Sequence, residues 1–440
     1  MQSNIRIVFS LFFFSIMITG VLTNPAFIVD HSALAQTDET NNGGTDYLGV
    51  AMKGYYTSAK QDRELENEFN ITSNYYDNSL RLISEAGMNH VRYTFYWESY
   101  VANPSLFMEE LESVAQKADQ YGLKVIYDNH QWHTSSWLET RATGFPHFLF
   151  TGDPIYERNS GGNTDSETAK AWWTNWWDRS ISSANGTDGW TLQANFLKEI
   201  VNLLDKHPST LGYEVLSEPQ IHNNDQWEKV GQFNTFMVNE LRNVTSKTLA
   251  YSQQVPAGIN EPTIDVISEN MAKMAPVDKE NVVYKVSLYG VPTDDYQSKR
   301  LSILVEAGEL AGVPLYIGEW NNVDRRPSGS VNTIDPNSSD ITPQDIDLFL
   351  STFKDLGVWG AAYWLWNFIP HPTPNFNLIT VNEQGQITPT KYYEMLKDGI
   401  AKVSPSSTVS PSSTVSPSST VSPSSTVSPS SSPGDAITLP

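Results

Sequence analysis

Eight short runs of β-branched and apolar residues, each followed by a stretch with amphipathic helical periodicity, constrain this chain more than any other feature. They lie at Tyr47–Met52, His90–Phe95, Lys124–Asn129, Gly212–Ser217, Thr248–Ser252, Val282–Ser287, Leu315–Glu319 and Gly360–Trp364. Runs of this kind read as strands, and strands alternating with helical patterns read as repeated βα units around a parallel sheet. The helical patterns include Asn78–Ala86, Phe107–Gln120 and Gln344–Asp355. Gly87, Gly122, Gly312 and Gly357 each follow an apolar-periodic segment and precede a strand, where a left-handed helix cap is expected. An open doubly wound sheet shares this alternation. Eight units with acidic residues at the strand ends favour closure, so the expected architecture is α/β, a (β/α)8 TIM barrel.

The barrel accounts for residues 45–402 and leaves both ends outside it. Arg6 precedes an apolar stretch from Ile7 to Leu22, and Ala33-Leu34-Ala35 before Gln36 forms a small-residue cleavage site. Residues 1–35 therefore read as a signal peptide and 36–44 as a leader. The long interval between apolar run and cleavage site keeps a retained N-terminal anchor as the alternative. Past the signal, nothing has the length and hydropathy of a membrane span. From Ser404 to Thr426 the hexapeptide Ser-Pro-Ser-Ser-Thr-Val repeats, so 403–440 reads as a linker or stalk that cannot bury a core. The expected location is secreted and extracellular, with tethering to a cell surface as the variant. Sequons at Asn70, Asn185, Asn243 and Asn337 permit glycosylation.

Composition narrows the partners. Lys and Arg number 28 against 50 Asp and Glu, a net charge of −22 that repels nucleic acid and anionic membranes and suits a neutral substrate. The absence of cysteine excludes disulfides, thiolate catalysis and cysteine-ligated zinc. His130 and His133 have neither a third histidine nor a carboxylate at helical spacing, and no glycine-rich phosphate loop occurs. No metal or organic cofactor is expected, and the chain is expected to be a monomer.

One connection is too long for a simple βα unit, since the third strand ends near Asn129 and the next helical pattern begins only near Leu192. Long ordered insertions tend to be functional. Within it Trp172, Trp173, Trp176 and Trp177 fall on one side of a helix. Packing onto the barrel is the first reading of these rings. The second makes one or two of them platforms for sugar, whose C–H faces stack on aromatic rings.

The residues that carry chemistry are two glutamates. Glu218 follows the fourth strand and precedes Pro219, while Glu319 closes the seventh and precedes Trp320. Both then point from the C-terminal rim, where barrel active sites lie. Retaining hydrolysis of a glycosidic bond needs two carboxyl groups about 5–5.5 Å apart, one protonated to release the leaving group and one ionised to attack the anomeric carbon. An unpaired carboxylate after an apolar strand is otherwise a costly choice.

In order along the chain come Gly87-Met88-Asn89-His90-Val91-Arg92 with Trp97, then Asp128-Asn129-His130, Glu218-Pro219, Tyr289, Gly318-Glu319-Trp320 and Trp364. Over about Tyr47 to Lys402 this set resembles glycoside hydrolase family 5, which contains many cellulases and mannanases. The resemblance implies Glu218 as acid/base and Glu319 as nucleophile, with Arg92 and Tyr289 beside Glu319. It also implies that His130 binds a sugar hydroxyl and that Trp364 floors the cleaved subsite. Two positions depart from the pattern: Ser217 stands where the family has asparagine, and Ser287 where it has histidine. The expected function is a retaining endo-β-1,4-glycanase, cellulase-like, acting on a β-linked polysaccharide. The alternatives are a β-mannanase or other β-glycanase of the same family, or a non-catalytic carbohydrate-binding or envelope protein on the same barrel.

Overall fold

A computed structural model describes residues 45–58, 74–161, 166–252, 267–291, 295–322, 341–367, 377–382 and 384–403. Residues 1–44, where a signal peptide and leader are expected, and 404–440 of the expected tail, together with Asn70 and Asn337, lie outside the described residues. Asn185 and Asn243 lie within them, and both are exposed.

The chain runs β1 (Tyr47–Lys53), α1 (Asn74–Glu85), β2 (His90–Phe95), α2 (Trp97–Ala102), α3 (Pro104–Tyr121) and β3 (Lys124–Asn129). There follow α4 (Glu167–Trp177), α5 (Gly189–Leu204), β4 (Thr210–Glu214), α6 (Gln226–Arg242), β5 (Thr248–Ser252), α7 (Ser268–Ala272) and β6 (Val282–Tyr289). The last part comprises α8 (Asp295–Ala311), β7 (Leu315–Asn321), α9 (Pro343–Asp355), β8 (Gly360–Tyr363), a ribbon of β9 (Ile379–Val381) and β10 (Ile387–Pro389), and α10 (Lys391–Val403). Strands β1 to β8 pair in chain order, and β1 meets β8 in parallel with Tyr47 opposite Gly360, so the sheet closes into the expected (β/α)8 barrel. The small antiparallel ribbon was not foreseen, because its three-residue strands are too short to carry a period.

Local chemistry explains where the helices start and stop. In α3 the Asn103 side chain accepts from the Leu106 N–H at 3.2 Å, Pro104 opens the first turn, and Gly122 ends the helix at φ 67°. Phe107, Leu111, Val114 and Ala118 then fall on one buried face. Helix α9 begins with a reciprocal cap between Thr342 and Asp345.

The insertion after β3 is held by its tryptophans. Trp172, Trp173, Trp176 and Trp177 are all buried, packing against Phe145, Phe150 and Phe233. Trp173 Nε1 donates to Thr134 Oγ1 at 2.9 Å, and Trp177 Nε1 donates to the Gln220 carbonyl at 2.8 Å. The quartet is core, and its reading as sugar platforms falls away.

Inside the barrel the side chains form layers. At the bottom, Ile126, Ala250, Val283 and Tyr316 make a small apolar plug. Above it the inward positions turn charged, with Arg92 on β2, Asp128 on β3, Glu214 on β4 and Lys285 on β6, all buried.

Candidate active site

Glu319 lies within β7 rather than at its end. An irregularity in the β6–β7 register, which pairs Val286 with Ile317 but Ser287 with Glu319, brings it beside Ser287. Gly318 sits at that step. A methyl on it would fall 2.7 Å from both Cγ and Cε of Lys285 and 3.2 Å from Arg92 Nε, so the two cationic side chains fill the space a larger residue would need.

Around Glu319 the donors converge. Arg92 Nη1 donates to Oε1 at 3.0 Å and Lys285 Nζ approaches the same oxygen at 3.3 Å, while the Tyr289 hydroxyl donates to Oε2. Burial alone would raise this carboxyl's pKa. Lys285, Arg92, the His130 ring and the Tyr289 hydroxyl overcome it and hold the group well below the usual carboxylate range. Arg92 in turn is braced by Asp128 at 2.9 Å and Glu214 at 2.8 Å, with the side chains of all three fully buried. Glu214 behaves oppositely to Glu319. Its burial outweighs Arg92, and Asp128 adds to the rise, so its pKa lies above the ordinary value.

Glu218 is reached differently. Strand β4 was expected to continue to Ser217 but ends at Glu214, and Glu218 lies four residues beyond it. The intervening backbone keeps strand-like bonds to its neighbours, from Val215 N–H to the Ala250 carbonyl and from Ser217 N–H to the Asn129 carbonyl, both at 2.9 Å. Amide side chains then clamp it: Asn129 and Gln193 donate to the Val215 carbonyl at 3.0 and 2.7 Å, and Gln131 donates to the Glu218 carbonyl at 2.7 Å. Glu218 itself has φ 45°, a left-handed conformation costing a non-glycine residue about 1–3 kcal/mol, which the surrounding clamp must sustain. Its side chain is half-buried, and Oε1 accepts from Ser287 Oγ at 2.6 Å.

Arg92, His130, Ser217, Glu218, Tyr289, Glu319 and Trp364 meet in one connected cluster. His130, just past β3, bonds Asp128 through Nδ1 at 2.8 Å and lies nearly parallel to the Trp364 ring, with centroids 5.7 Å apart. Trp364 is half-buried beyond β8, with Lys53 Nζ 5.8 Å from its ring centre. Ser217 is fully buried beneath the others, its hydroxyl oxygen accepting from Arg92 Nη2 at 3.0 Å and Lys285 Nζ at 3.3 Å. That placement gives it to the scaffold, not to contact with a sugar. Among the described residues no cluster of histidines and carboxylates is arranged to hold a metal ion.

Lys285, Glu214 and Gln131 were not singled out in the sequence. A signal for Lys285 exists: on β6, residues 283, 285, 287 and 289 share one face, so a lysine in step with Ser287 and Tyr289 must point into the barrel. Glu214 follows from the same argument on β4, whereas Gln131 belongs to a loop and no period predicts it.

Residues 50–367, most of the chain, match the cellulase (glycosyl hydrolase family 5) model. The chain belongs to glycoside hydrolase family 5. As a member of that family it is a glycosidase on a TIM barrel. The barrel is similar to the crystal structure of an endogalactoceramidase, at TM-score 0.57 and 15% identity, over 82% of this chain and 81% of that one. Endo-glycoceramidase II from Rhodococcus sp. follows at TM-score 0.56 and 15% identity, covering 80% and 78%. A family 5 enzyme from Prevotella bryantii B14 reaches TM-score 0.52 at 13% identity, covering 81% and 96%. At these identities the likeness establishes the fold alone. A comparison with curated proteins finds no match. No helix among the described residues is long and apolar enough to cross a membrane.

Proposed function

We propose that this family 5 glycosidase is a retaining endo-β-1,4-glycanase, cellulase-like in preferring a β-linked glucan and exported through residues 1–35. Glu319 serves as nucleophile and Glu218 as acid/base. The observation that supports this most is the contrast between the two carboxyls: two cations and a phenol surround Glu319, while the described contact to the Glu218 carboxyl is one serine hydroxyl. Two neighbouring carboxyls with such different surroundings can hold different protonation states at one pH.

The chemistry then runs in two displacements. Oε1 of Glu319 is occupied by Arg92 and Lys285, leaving Oε2, which receives the Tyr289 hydroxyl, as the attacking atom. Oε2 forms a bond to the anomeric carbon as the glycosidic C–O bond breaks, and the Glu218 proton passes to the leaving oxygen. In the second step water attacks the anomeric carbon, its proton goes to the Glu218 carboxylate, and the ester bond to Glu319 breaks with its electron pair returned to the carboxylate.

For binding, the His130 ring and Trp364 form one wall at the barrel mouth. Trp132 supplies a further aromatic face. It is 46% exposed, its ring stacks on His133 with centroids 3.8 Å apart, and it is next in sequence to Gln131, which clamps Glu218. An exposed indole braced from behind suits a sugar ring.

The experiment is a panel of cellulose derivatives, glucomannan, xyloglucan, lichenan and a glycosphingolipid, incubated with the full chain and with Glu319→Ala. The glycosphingolipid enters because of the glycoceramidase likeness. Reducing ends from a β-1,4-glucan above the mutant's background, with the product's anomeric configuration retained by NMR, are expected. A silent panel would overturn the enzyme assignment. It would favour the competing reading, a carbohydrate-binding protein on the same barrel, which Ser217 and Ser287 in place of asparagine and histidine motivate.

A further inference from the structure

Lys285 is a buried lysine that neither attacks nor transfers a proton in the two-displacement scheme. Its side chain has no exposure, yet its ammonium lies 3.0 Å from Ser287 Oγ, 3.3 Å from Ser217 Oγ, 3.3 Å from Glu319 Oε1 and 3.8 Å from Glu214 Oε1. Three N–H donors thus meet three acceptors within hydrogen-bond range, which is how a buried ammonium offsets the several kcal/mol lost on leaving water. A lysine kept only for packing would be replaceable by an apolar side chain of similar length. This one touches Glu319 directly and Glu218 through one hydroxyl.

The direction of those bonds is fixed by chemistry. An ammonium only donates, so Ser287 Oγ must accept from Lys285 and turn its own hydrogen to Glu218 Oε1 at 2.6 Å. With Oε1 accepting, the proton that Glu218 gives to the leaving group sits on Oε2. As that proton departs, the Ser287 hydroxyl already faces the carboxylate that forms. Gly318 makes the arrangement possible, since any Cβ there would collide with the lysine stem.

We infer that Lys285 is a positioning residue that serves both glutamates at once: it pairs with Glu319 and locks the Ser287 hydroxyl as a donor to Glu218. This rests on the two-glutamate reading. Ser217 and Ser287, which the lysine bonds, stand at the positions where the family resemblance places an asparagine and a histidine.

The test measures kcat/KM against pH on glycosides of the sugar that the substrate panel selects, with two leaving groups. Dinitrophenolate departs without a proton, whereas a sugar or alkyl alcohol needs one from Glu218. Glu319→Ala should abolish both reactions, and Glu218→Ala should strongly slow only the second. If those two fail to behave so, the underlying assignment fails, not the role of Lys285. Given that they do, Lys285→Met should slow both substrates and move the acid limb of the profile upward by about 1–3 pH units, because an opposite charge within a few ångströms of Glu319 is gone. Ser287→Ala should slow only the poor leaving group, by about tenfold, and leave the acid limb in place. Gly318→Ala, which keeps the lysine but displaces its stem, should move the acid limb in the same direction as Lys285→Met. Thermal unfolding of each variant checks that the barrel remains intact. An unmoved acid limb in folded Lys285→Met, or a Ser287→Ala loss equal for both leaving groups, would overturn the proposal. Should Lys285→Met fail to fold, the Ser287→Ala and Gly318→Ala outcomes decide alone.

Discussion

The two halves of the site are built to different standards of rigidity. On the β7 side, Glu319 sits inside a strand, buried, with donors on both oxygens and a second tier of Asp128 and Glu214 bracing Arg92. On the β4 side, Glu218 stands four residues beyond its strand, half-buried, in a left-handed backbone conformation that amide side chains hold in place. A nucleophile must stay ionised and aimed, which favours a fixed cationic cage. An acid/base must gain and lose a proton during each turnover, which favours access and few permanent partners. The difference in construction matches the difference in task.

Cutting each side separately sharpens the contrast. Glu319→Ala should lower kcat/KM by on the order of 10⁴-fold or more on every substrate. Glu218→Ala should cost about 10²–10⁴-fold with poor leaving groups and little with dinitrophenolate. Equal losses on both substrates would break the comparison.

Next in size is the brace. Arg92→Met leaves Glu319 and Glu214 in the interior with Lys285 as their shared ammonium, and Asp128 with His130, and should destabilise the fold by about 3–5 kcal/mol in denaturant titration. The pH dependence carries a sign. Glu319 is depressed in the folded state, so its ionisation contributes stability that is present above the unfolded value near ~4.3 and is lost as pH falls through the folded value. Arg92→Met should flatten that acid-side loss, and an unchanged slope would contradict the caging of Glu319.

Tyr289→Phe removes one donor to Glu319 and leaves both cations. A hydrogen bond to a charged group is worth about 1.5–3 kcal/mol, so kcat/KM should fall roughly 10- to 100-fold while the barrel remains folded. Smallest is Trp132→Ala. If the exposed indole only binds sugar, KM should rise a few-fold with kcat unchanged, the pattern of lost uniform binding. A fall in kcat instead would tie Trp132 to the positioning of Glu218 through Gln131.

The same contrast governs what the sequence could reveal. Strand count and order were legible because each strand is a short β-branched or apolar run between helical patterns, and the capping glycines were legible because a left-handed residue ends those helices, as Gly122 does. Glu319 was legible as the last residue of an apolar run, although the register step that seats it beside Ser287 was not. The extent of β4 was misjudged because Val215, Leu216 and Ser217 look like strand, and two of them keep a strand-like backbone bond, although the regular pairing ends at Glu214. Lys285 is in step with Ser287 and Tyr289 on β6, so the period of that strand puts it on the inward face. Gln131 acts through a loop contact to the Glu218 carbonyl, and no local pattern encodes a contact across 87 positions.

The central claim is that Glu319 forms the covalent bond to the sugar. The most direct measurement is mass spectrometry of the full chain treated with the dinitrophenyl 2-deoxy-2-fluoro derivative of whichever sugar the panel shows to be cleaved, followed by peptide mapping. The account predicts one fluoroglycosyl group, carried by the peptide containing Glu319 and absent from Glu319→Ala. A label on any other residue, or turnover of the true substrate with inversion and no label at all, would contradict it.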